Sequence, residues 1–180
     1  ARRNVGILFE DKRMTAELQS AIRKLRETQY PDGAWPWIAG GRPSDYITLY
    51  ITTGFGRMRA MHVDMDVSMA IKAVNRLDNW IDKNYRQILK HGNKDANNLS
   101  SLIAQYLYYR SFFLKDRAVA PQHLEAINYF LGQAVKTDKD DTQYFLRLSR
   151  MNQAQVAIAM NRFGKFQKKA DYNKLAKLII

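Results

Sequence analysis

The sequence predicts an all-α protein, and three observations support this fold class. Hydrophobic residues make up 46% of the 180 residues, which is enough for a single domain with a core. Apolar side chains recur at helical spacing along most of the chain. Successive predicted helices also alternate in character: one has a single apolar side, and the next is apolar on nearly every side. This alternation predicts an inner and an outer layer of helical hairpins, arranged as a partial, open arc of an α/α toroid.

The composition narrows the range of functions. The formal net charge is +12, but the cations are spread over both halves of the chain. We therefore expect solvated helix faces and no nucleic-acid partner. The chain has no cysteine, which excludes a thiolate nucleophile, a disulfide framework and a cysteine-based zinc site. No apolar run reaches about 18 residues, so we expect no direct membrane insertion, and no motif indicates a cofactor.

The first two predicted helices flank a long connecting segment. The first covers residues 16–28, with Thr15 as a candidate N-cap and one apolar stripe. The second begins after Ser44 and ends near Met61. Its first half has almost no polar side, so it should be buried on most sides. Its threonines are small and can satisfy their hydroxyl groups on the helix backbone.

The connecting segment is rich in proline, glycine and tryptophan, and it predicts an ordered loop. Residues 31–33 read Pro-Asp-Gly, in which Asp can close an Asx-turn and Gly can take positive φ. Trp35 and Trp37 are two residues apart, so an extended backbone would point both rings to one side. We expect both rings to pin the loop onto the ends of the flanking helices. The pair Gly40-Gly41 interrupts this extended segment, and Ser44 is the predicted N-cap of the next helix.

The remaining predicted helices follow in order. The third covers residues 65–89 and ends before Gly92, and the fourth covers residues 99–113, with Asn97 or Asn98 as its cap. The fifth begins at Pro121, the sixth covers residues 142–161, and the seventh takes the C-terminal end. In the inner layer, the residues expected to be nearly inaccessible are Ile51, Tyr106, Leu107 and Ile158. In the outer layer, the residues expected to be exposed are Lys72, Arg76, Lys83 and Arg86.

The connecting segment also carries a family resemblance. Its pattern is Gln-x-x-Asp-Gly-x-Trp-x-Trp, then Gly-Gly, then Ser-x-Tyr-Ile-Thr-x-Tyr. This pattern resembles the helical thioester-type domain of bacterial alpha-2-macroglobulin-like proteins. The matching residues are Gln29, Asp32, Gly33, Trp35, Trp37, Gly40, Gly41, Ser44, Tyr46, Thr48 and Tyr50. A second patch, in residues 148–164, is similar to the inner helix near the end of that domain.

The resemblance implies a non-catalytic role. Proteins of that family are endopeptidase inhibitors that rearrange after cleavage of a bait region and then trap the protease. By resemblance, residues 1–180 would form one helical domain of a longer parent chain in the periplasm or cell envelope. Its partners would be other domains of the parent and the target proteases. The family's Cys-x-Glu-Gln thioester motif is missing here, and it would precede Ala1 if the parent has one.

A second resemblance points to an enzyme. The shorter pattern Gln29, Gly33, Trp35 is also similar to the repeated Gln-Trp motif of squalene and related terpene cyclases. Asp138, Asp140 and Asp141 spell the Asp-x-Asp-Asp-Thr motif, whose middle aspartate is the general acid in class II cyclases. Such an acid needs burial and a like-charge partner to stay protonated. The neighbouring lysines favour instead an exposed loop whose acids cap the following helix, so we expect no catalysis.

Other candidate residues are assigned structural roles. Asp64 and Asp66 are predicted to cap a helix rather than hold a metal, because no further ligand has suitable spacing. The three histidines, His62, His91 and His123, are expected at the surface or at helix ends. Inner-layer aromatic residues could line a ligand pocket, although core packing is the interpretation we favour. They are Tyr46, Tyr50, Phe55, Tyr106, Tyr109, Phe112, Tyr144 and Phe145.

Overall fold

The part of the chain that the structure describes is all-α, as predicted, apart from a two-stranded ladder. The computed structural model describes residues 11–167. Its helices are α1 (Asp11–Thr28), α2 (Asp45–Ala60), α3 (Ser68–Lys72), α4 (Val74–His91), α5 (Ser101–Ser111), α6 (Pro121–Val135) and α7 (Arg150–Gln167), with a 3-10 turn at Tyr144–Arg147. Strands β1 (Trp35–Pro36) and β2 (Pro43–Ser44) pair antiparallel between α1 and α2. None of the helices within residues 11–167 has both the length and the apolarity to cross a membrane.

The helices pack as two rows. In the first row, α5 lies between α2 and α7 and contacts both. In the second row, α4 packs along α6, and both also contact α5. Layered helical hairpins produce two rows of helices of this kind. Their continuation into an arc of a toroid stays a prediction.

The core is centred on α5. Within this helix Tyr106 and Leu107 are fully buried, as predicted, and so are Ala104 and Tyr109. The helix is short and apolar on nearly every side, so neighbours can cover it all round. The packed interior therefore runs through the middle of the first row.

Several predictions of burial are wrong. Ile158 is 39% exposed, and Ile51 is only half-buried. Arg76 was expected to be exposed and is half-buried in ion pairs. Helix α2 is not buried on most sides, because no element among residues 11–167 covers the side that carries Tyr46 and Tyr50. Helix α6, predicted to be one-sided, lies against α4, α5 and the 3-10 turn, so it buries a wider face than expected.

Some helix boundaries also differ from the predictions. The predicted helix 65–89 is divided at Ala73, where the turn that contains Gly33 lies against the backbone. Ser100, not Asn97 or Asn98, caps α5, and its Oγ accepts from the backbone N–H of Ile103 at 3.3 Å.

The ends of the described chain bring two further corrections. Helix α1 begins at Asp11, so Thr15 is inside the helix and not its cap. The predicted helix 142–161 is replaced by the 3-10 turn followed by α7, because the backbone N–H of Thr142 donates to Asp138 and closes a loop. The predicted C-terminal helix lies outside the described residues. Pro121 does occupy the first position of α6, as predicted.

Candidate functional site

The turn that opens the connecting loop has the predicted conformation. The backbone N–H of Ala34 donates to Oδ1 of Asp32 at 3.1 Å, which closes an Asx-turn. Gly33 has a φ of +89°, a region that favours glycine. A Cβ atom at this position would lie 2.7 Å from Cα of Ala73. The glycine is therefore required both by the turn and by its close approach to the end of α3.

Trp35 fastens the loop to the helices on either side. Its side chain is 1% exposed, and its Nε1 donates to the carbonyl of Leu25 in α1 at 2.7 Å. Its backbone N–H donates to Oγ1 of Thr48 in α2 at 2.9 Å. The indole thus satisfies its polar atom while burying a large apolar surface. The prediction that Trp35 pins the loop agrees with these contacts.

Gln29 and Tyr30 hold the loop from its N-terminal side. The Gln29 amide donates to the carbonyl of Gly33 at 3.0 Å and to that of Met69 in α3 at 2.9 Å. The Tyr30 hydroxyl donates to the carbonyl of Gly41 on the far side of the loop. These bonds tie both halves of the loop and α3 into one unit.

The loop ends at a capped helix, as predicted. Oγ of Ser44 accepts from the backbone N–H of Ile47 at 3.3 Å. Oγ1 of Thr48 donates to the carbonyl of Ser44 at 2.7 Å, and Thr52 and Thr53 bond to backbone carbonyls in the same manner. The predicted satisfaction of these buried hydroxyl groups is confirmed.

Trp37 does not pin the loop, contrary to expectation. Its side chain is 70% exposed and stacks on the ring of Tyr46, with 6.2 Å between the ring centroids. Strand β1 ends at Pro36, and the chain then turns, with the backbone N–H of Gly41 donating to the carbonyl of Ile38. Two residues of strand are too few to keep both rings on one side.

The exposed apolar side chains of this region form a cluster that we call the aromatic patch. Its members are Trp37, Ile38, Tyr46 and Tyr50, of which each is at least half exposed. The sequence analysis had placed the two tyrosines in a buried helix. Exposed clusters of large apolar side chains mark interaction sites in proteins.

An arginine clamp joins the loop to α4. Nε of Arg76 donates to Oδ1 of Asp45 at 2.7 Å, and its Nη1 donates to Asp32. Partial desolvation raises the pKa of Asp32, but the backbone N–H of Ala34 and the Arg76 guanidinium outweigh it, so the pKa lies below its usual value. The clamp borders an open groove of about 740 Å³. Its other lining residues are mainly polar and include Lys72, Asn75, Asn79, Lys83, Asn84 and Gln87.

The predicted acid motif forms a surface turn. Asp140 and Asp141 are exposed, as expected. Asp138 accepts from the backbone N–H groups of Asp140 at 2.9 Å and Thr142 at 3.0 Å, and it pairs with Arg147. The Arg147 guanidinium, helped by the N–H of Thr142, holds the pKa of Asp138 below its usual value. The acids close a loop and cap no α-helix, and Asp140 lacks the apolar cover that a general acid needs.

The sequence analysis missed a buried ion pair between the two rows of helices. Nε of Arg110 donates to Oδ1 of Asp78 at 2.9 Å, and both side chains are nearly inaccessible. The Tyr106 hydroxyl donates to the same carboxylate oxygen at 2.6 Å, and burial together with that carboxylate raises its pKa well above the usual value. Two features of the sequence indicate this pair: Asp78 interrupts the apolar stripe of α4, and Arg110 lies in an otherwise apolar helix.

The remaining candidate residues have mixed outcomes. Asp66 accepts from the backbone N–H of Ser68, the first residue of α3, at 2.8 Å, but the N-cap position is Val67, and no described cap bond involves Asp64. His62 and His91 are exposed, but His123 is 3% exposed and its ring nitrogens have no hydrogen-bond partner among residues 11–167. In the same part of the chain, no group of three or more acidic or histidine side chains could hold a metal. Most of the inner-layer aromatics are core residues, namely Phe55, Tyr106, Tyr109, Tyr144 and Phe145.

Comparison of the chain with family models, curated proteins and solved structures yields no match. The resemblance to alpha-2-macroglobulin-like proteins therefore rests on the residue pattern of the loop and of residues 148–164. The geometry of the loop and of the aromatic patch carries the functional argument that follows.

Proposed function

We propose that the chain is a non-catalytic, thioester-type helical domain of a bacterial alpha-2-macroglobulin-like endopeptidase inhibitor. It would act in the periplasm or cell envelope, as scaffold and as a surface for other domains of the parent chain. One observation carries this proposal: a loop fastened by buried Trp35 presents an aromatic patch to the outside.

Stiffness of the loop supports the scaffold role. The loop is bonded to α1 through Trp35, to α2 through Thr48, to α3 through Gln29 and to α4 through Asp32, which accepts from Arg76. A segment held from four helices cannot move without breaking several of these bonds together. A domain of this kind transmits a displacement as a rigid body, which a trap that closes by rearrangement requires.

The aromatic patch supports the interdomain role. Trp37 stacks on Tyr46, and Tyr50 is exposed one turn further along α2, so the three residues share one side of the helix. Tyrosine and tryptophan are enriched at interfaces because they combine a large apolar area with a polar tip. A neighbouring domain of the parent chain that covers this patch would remove the exposed apolar surface from water.

Trapping is tested on the full-length protein that contains this chain. It is incubated with endopeptidases of different specificity, and cleavage is measured on a protein substrate and on a short peptide substrate. Physical enclosure blocks the large substrate and leaves the small one accessible, so we expect loss of the first activity only. Equal inhibition of both substrates, or of neither, would contradict the proposal.

Variants of the same protein test the patch. Trp37→Ala combined with Tyr50→Ala should weaken trapping while leaving the helical circular dichroism of the protein unchanged, because both side chains are exposed on this domain and available to the neighbouring domain that the proposal places over them. Met151→Ala is the matched control, since Met151 is also an exposed apolar residue but lies on α7. If the protein instead converts squalene, and Asp140→Asn abolishes that conversion, the result would favour a cyclase.

A further inference from the structure

A cavity of about 620 Å³ lies where the C-terminal ends of α2, α5 and α7 meet. We call it the cationic pocket. Its lining consists of Arg59, Ala60, Ser111, Phe112, Leu114, Lys115, Arg162, Lys165 and Phe166. Binding pockets for small organic ligands have volumes of roughly 300–1,000 Å³. The size is therefore suited to a small molecule.

The pocket has an excess of positive charge. Arg59 is neutralised by a two-pronged ion pair with Asp116, at 2.6 and 3.1 Å. The other three cations, Lys115, Arg162 and Lys165, form no ion pair with any carboxylate among residues 11–167. Three charges that no described carboxylate compensates, all around one cavity, favour an anionic occupant.

Arg162 is held in place by a hydroxyl group and an aromatic ring, neither of which carries a charge. Its Nη1 donates to Oγ of Ser111 at 3.2 Å, and its guanidinium carbon lies 4.1 Å from the ring centroid of Phe112. The side chain is half-buried, and this burial lowers its pKa, although arginine stays charged at neutral pH. The ring and the serine hydroxyl together restrict the position of the guanidinium, whose remaining N–H groups can bind a planar or tetrahedral anion.

The helix dipoles account for only part of this arrangement. Cations in the last turn of a helix complement its negative end, and this explains Lys165 near the end of α7. It does not explain why Arg162 points to a serine hydroxyl and an aromatic ring. Nor does it explain the apolar part of the lining, in which Phe112 is half-buried and Phe166 is 45% exposed.

We propose that the cationic pocket binds a small organic anion with an apolar body. Its carboxylate, phosphate or sulfonate group bonds to Arg162 and Lys165, and its apolar part lies against Phe112, Leu114 and Phe166. This proposal is independent of protease trapping. Binding here would hold whether or not the parent protein encloses proteases.

Calorimetric titration with three probes tests both halves of the ligand. The probes are 2-naphthoate, the neutral 2-naphthalenemethanol and inorganic sulfate. We expect 2-naphthoate to bind with one-to-one stoichiometry, at least about tenfold more tightly than either of the others, which is the scale of one charge-assisted hydrogen bond. Equal binding of naphthoate and the alcohol, or no binding of naphthoate, would overturn the proposal.

Charge-removing variants then locate the site. Arg162→Gln and Lys165→Gln should each weaken naphthoate binding by about tenfold. Lys165 is exposed, so its replacement leaves the fold intact and keeps the test valid if the Arg162 variant unfolds. Lys83→Gln is the matched control, because Lys83 is also an exposed lysine but lies on α4 outside this pocket. Identical affinities of the Lys165 and Lys83 variants would place naphthoate elsewhere and overturn the assignment.

Discussion

Individual side chains in the loop have sharply different roles although they are close in sequence. Trp35 is inaccessible and bonded to α1, whereas Trp37 is largely exposed and stacks on the ring of Tyr46. Buried tryptophan contributes through apolar area and through the partner of its N–H group. An exposed tryptophan of the same loop contributes little to folding.

Replacing each tryptophan by alanine should separate these roles. We expect Trp35→Ala to lower the free energy of unfolding by about 3 kcal/mol or more, as buried tryptophan truncations do. Trp37→Ala should change it by less than about 0.5 kcal/mol. Denaturant unfolding followed by far-UV circular dichroism gives both values, and equal effects of the two substitutions would contradict the structure of the loop.

At the scale of elements, the loop is joined to α4 by electrostatics as well as by packing. Arg76 reaches Asp32 in the turn and Asp45 at the start of α2. The Asp32 side chain is half exposed, so solvent screening limits this pair to less than about 1 kcal/mol. Its effect should still be visible as a dependence of stability on pH.

Asp32 has a pKa below its ordinary value of 3.8 in the folded protein. Its stabilising contribution is therefore fully present above that value, and it is lost as the pH falls through the lower folded pKa. Asp32→Asn keeps an acceptor for the N–H of Ala34 but removes the charge. We expect the stability difference between wild type and Asp32→Asn to shrink as the pH falls below about 4.

Urea unfolding at several pH values measures this difference. Asp141→Asn serves as the control, because Asp141 is an exposed carboxylate of a turn and no ion pair to it is formed among residues 11–167. A difference for Asp32→Asn that stays constant with pH would argue against the clamp.

At the scale of the whole molecule, the pair Asp78–Arg110 joins the two rows of helices. It connects α4 to α5, and Nη2 of Arg110 also donates to the carbonyl of Arg117 at 2.8 Å. Nη1 of Arg110 is buried without a hydrogen-bond partner among residues 11–167. The pair bonds one row to the other, but the cost of its desolvation limits the net stability it adds.

Removing the pair as a unit should cost less than the two single removals together. We expect Asp78→Asn to destabilise the protein by about 3–5 kcal/mol, because it leaves the Arg110 charge buried and uncompensated. The double variant with Arg110→Met should be less destabilised than the sum of the two single variants. A double-mutant cycle from denaturant unfolding measures this coupling, and strictly additive effects would show that the two charges do not stabilise each other.

The sequence by itself determined the features that depend on near neighbours in the chain. Helical periodicity predicts the all-α class, and the Asx-turn at Asp32, the positive φ of Gly33, the Ser44 cap and the start of α6 at Pro121 all appear as expected. Their hydrogen bonds and backbone angles involve groups within about four residues, so local sequence is sufficient.

Only the tertiary structure decided which apolar and charged groups are covered. It buries Trp35 and exposes Trp37, exposes Ile158, and brings Asp78 to Arg110 and Arg162 to Phe112. Each of these outcomes depends on which distant element packs against a given face. Residues with equal hydrophobicity and equal spacing are indistinguishable until that packing is formed, because burial is a property of neighbouring helices and not of the side chain alone.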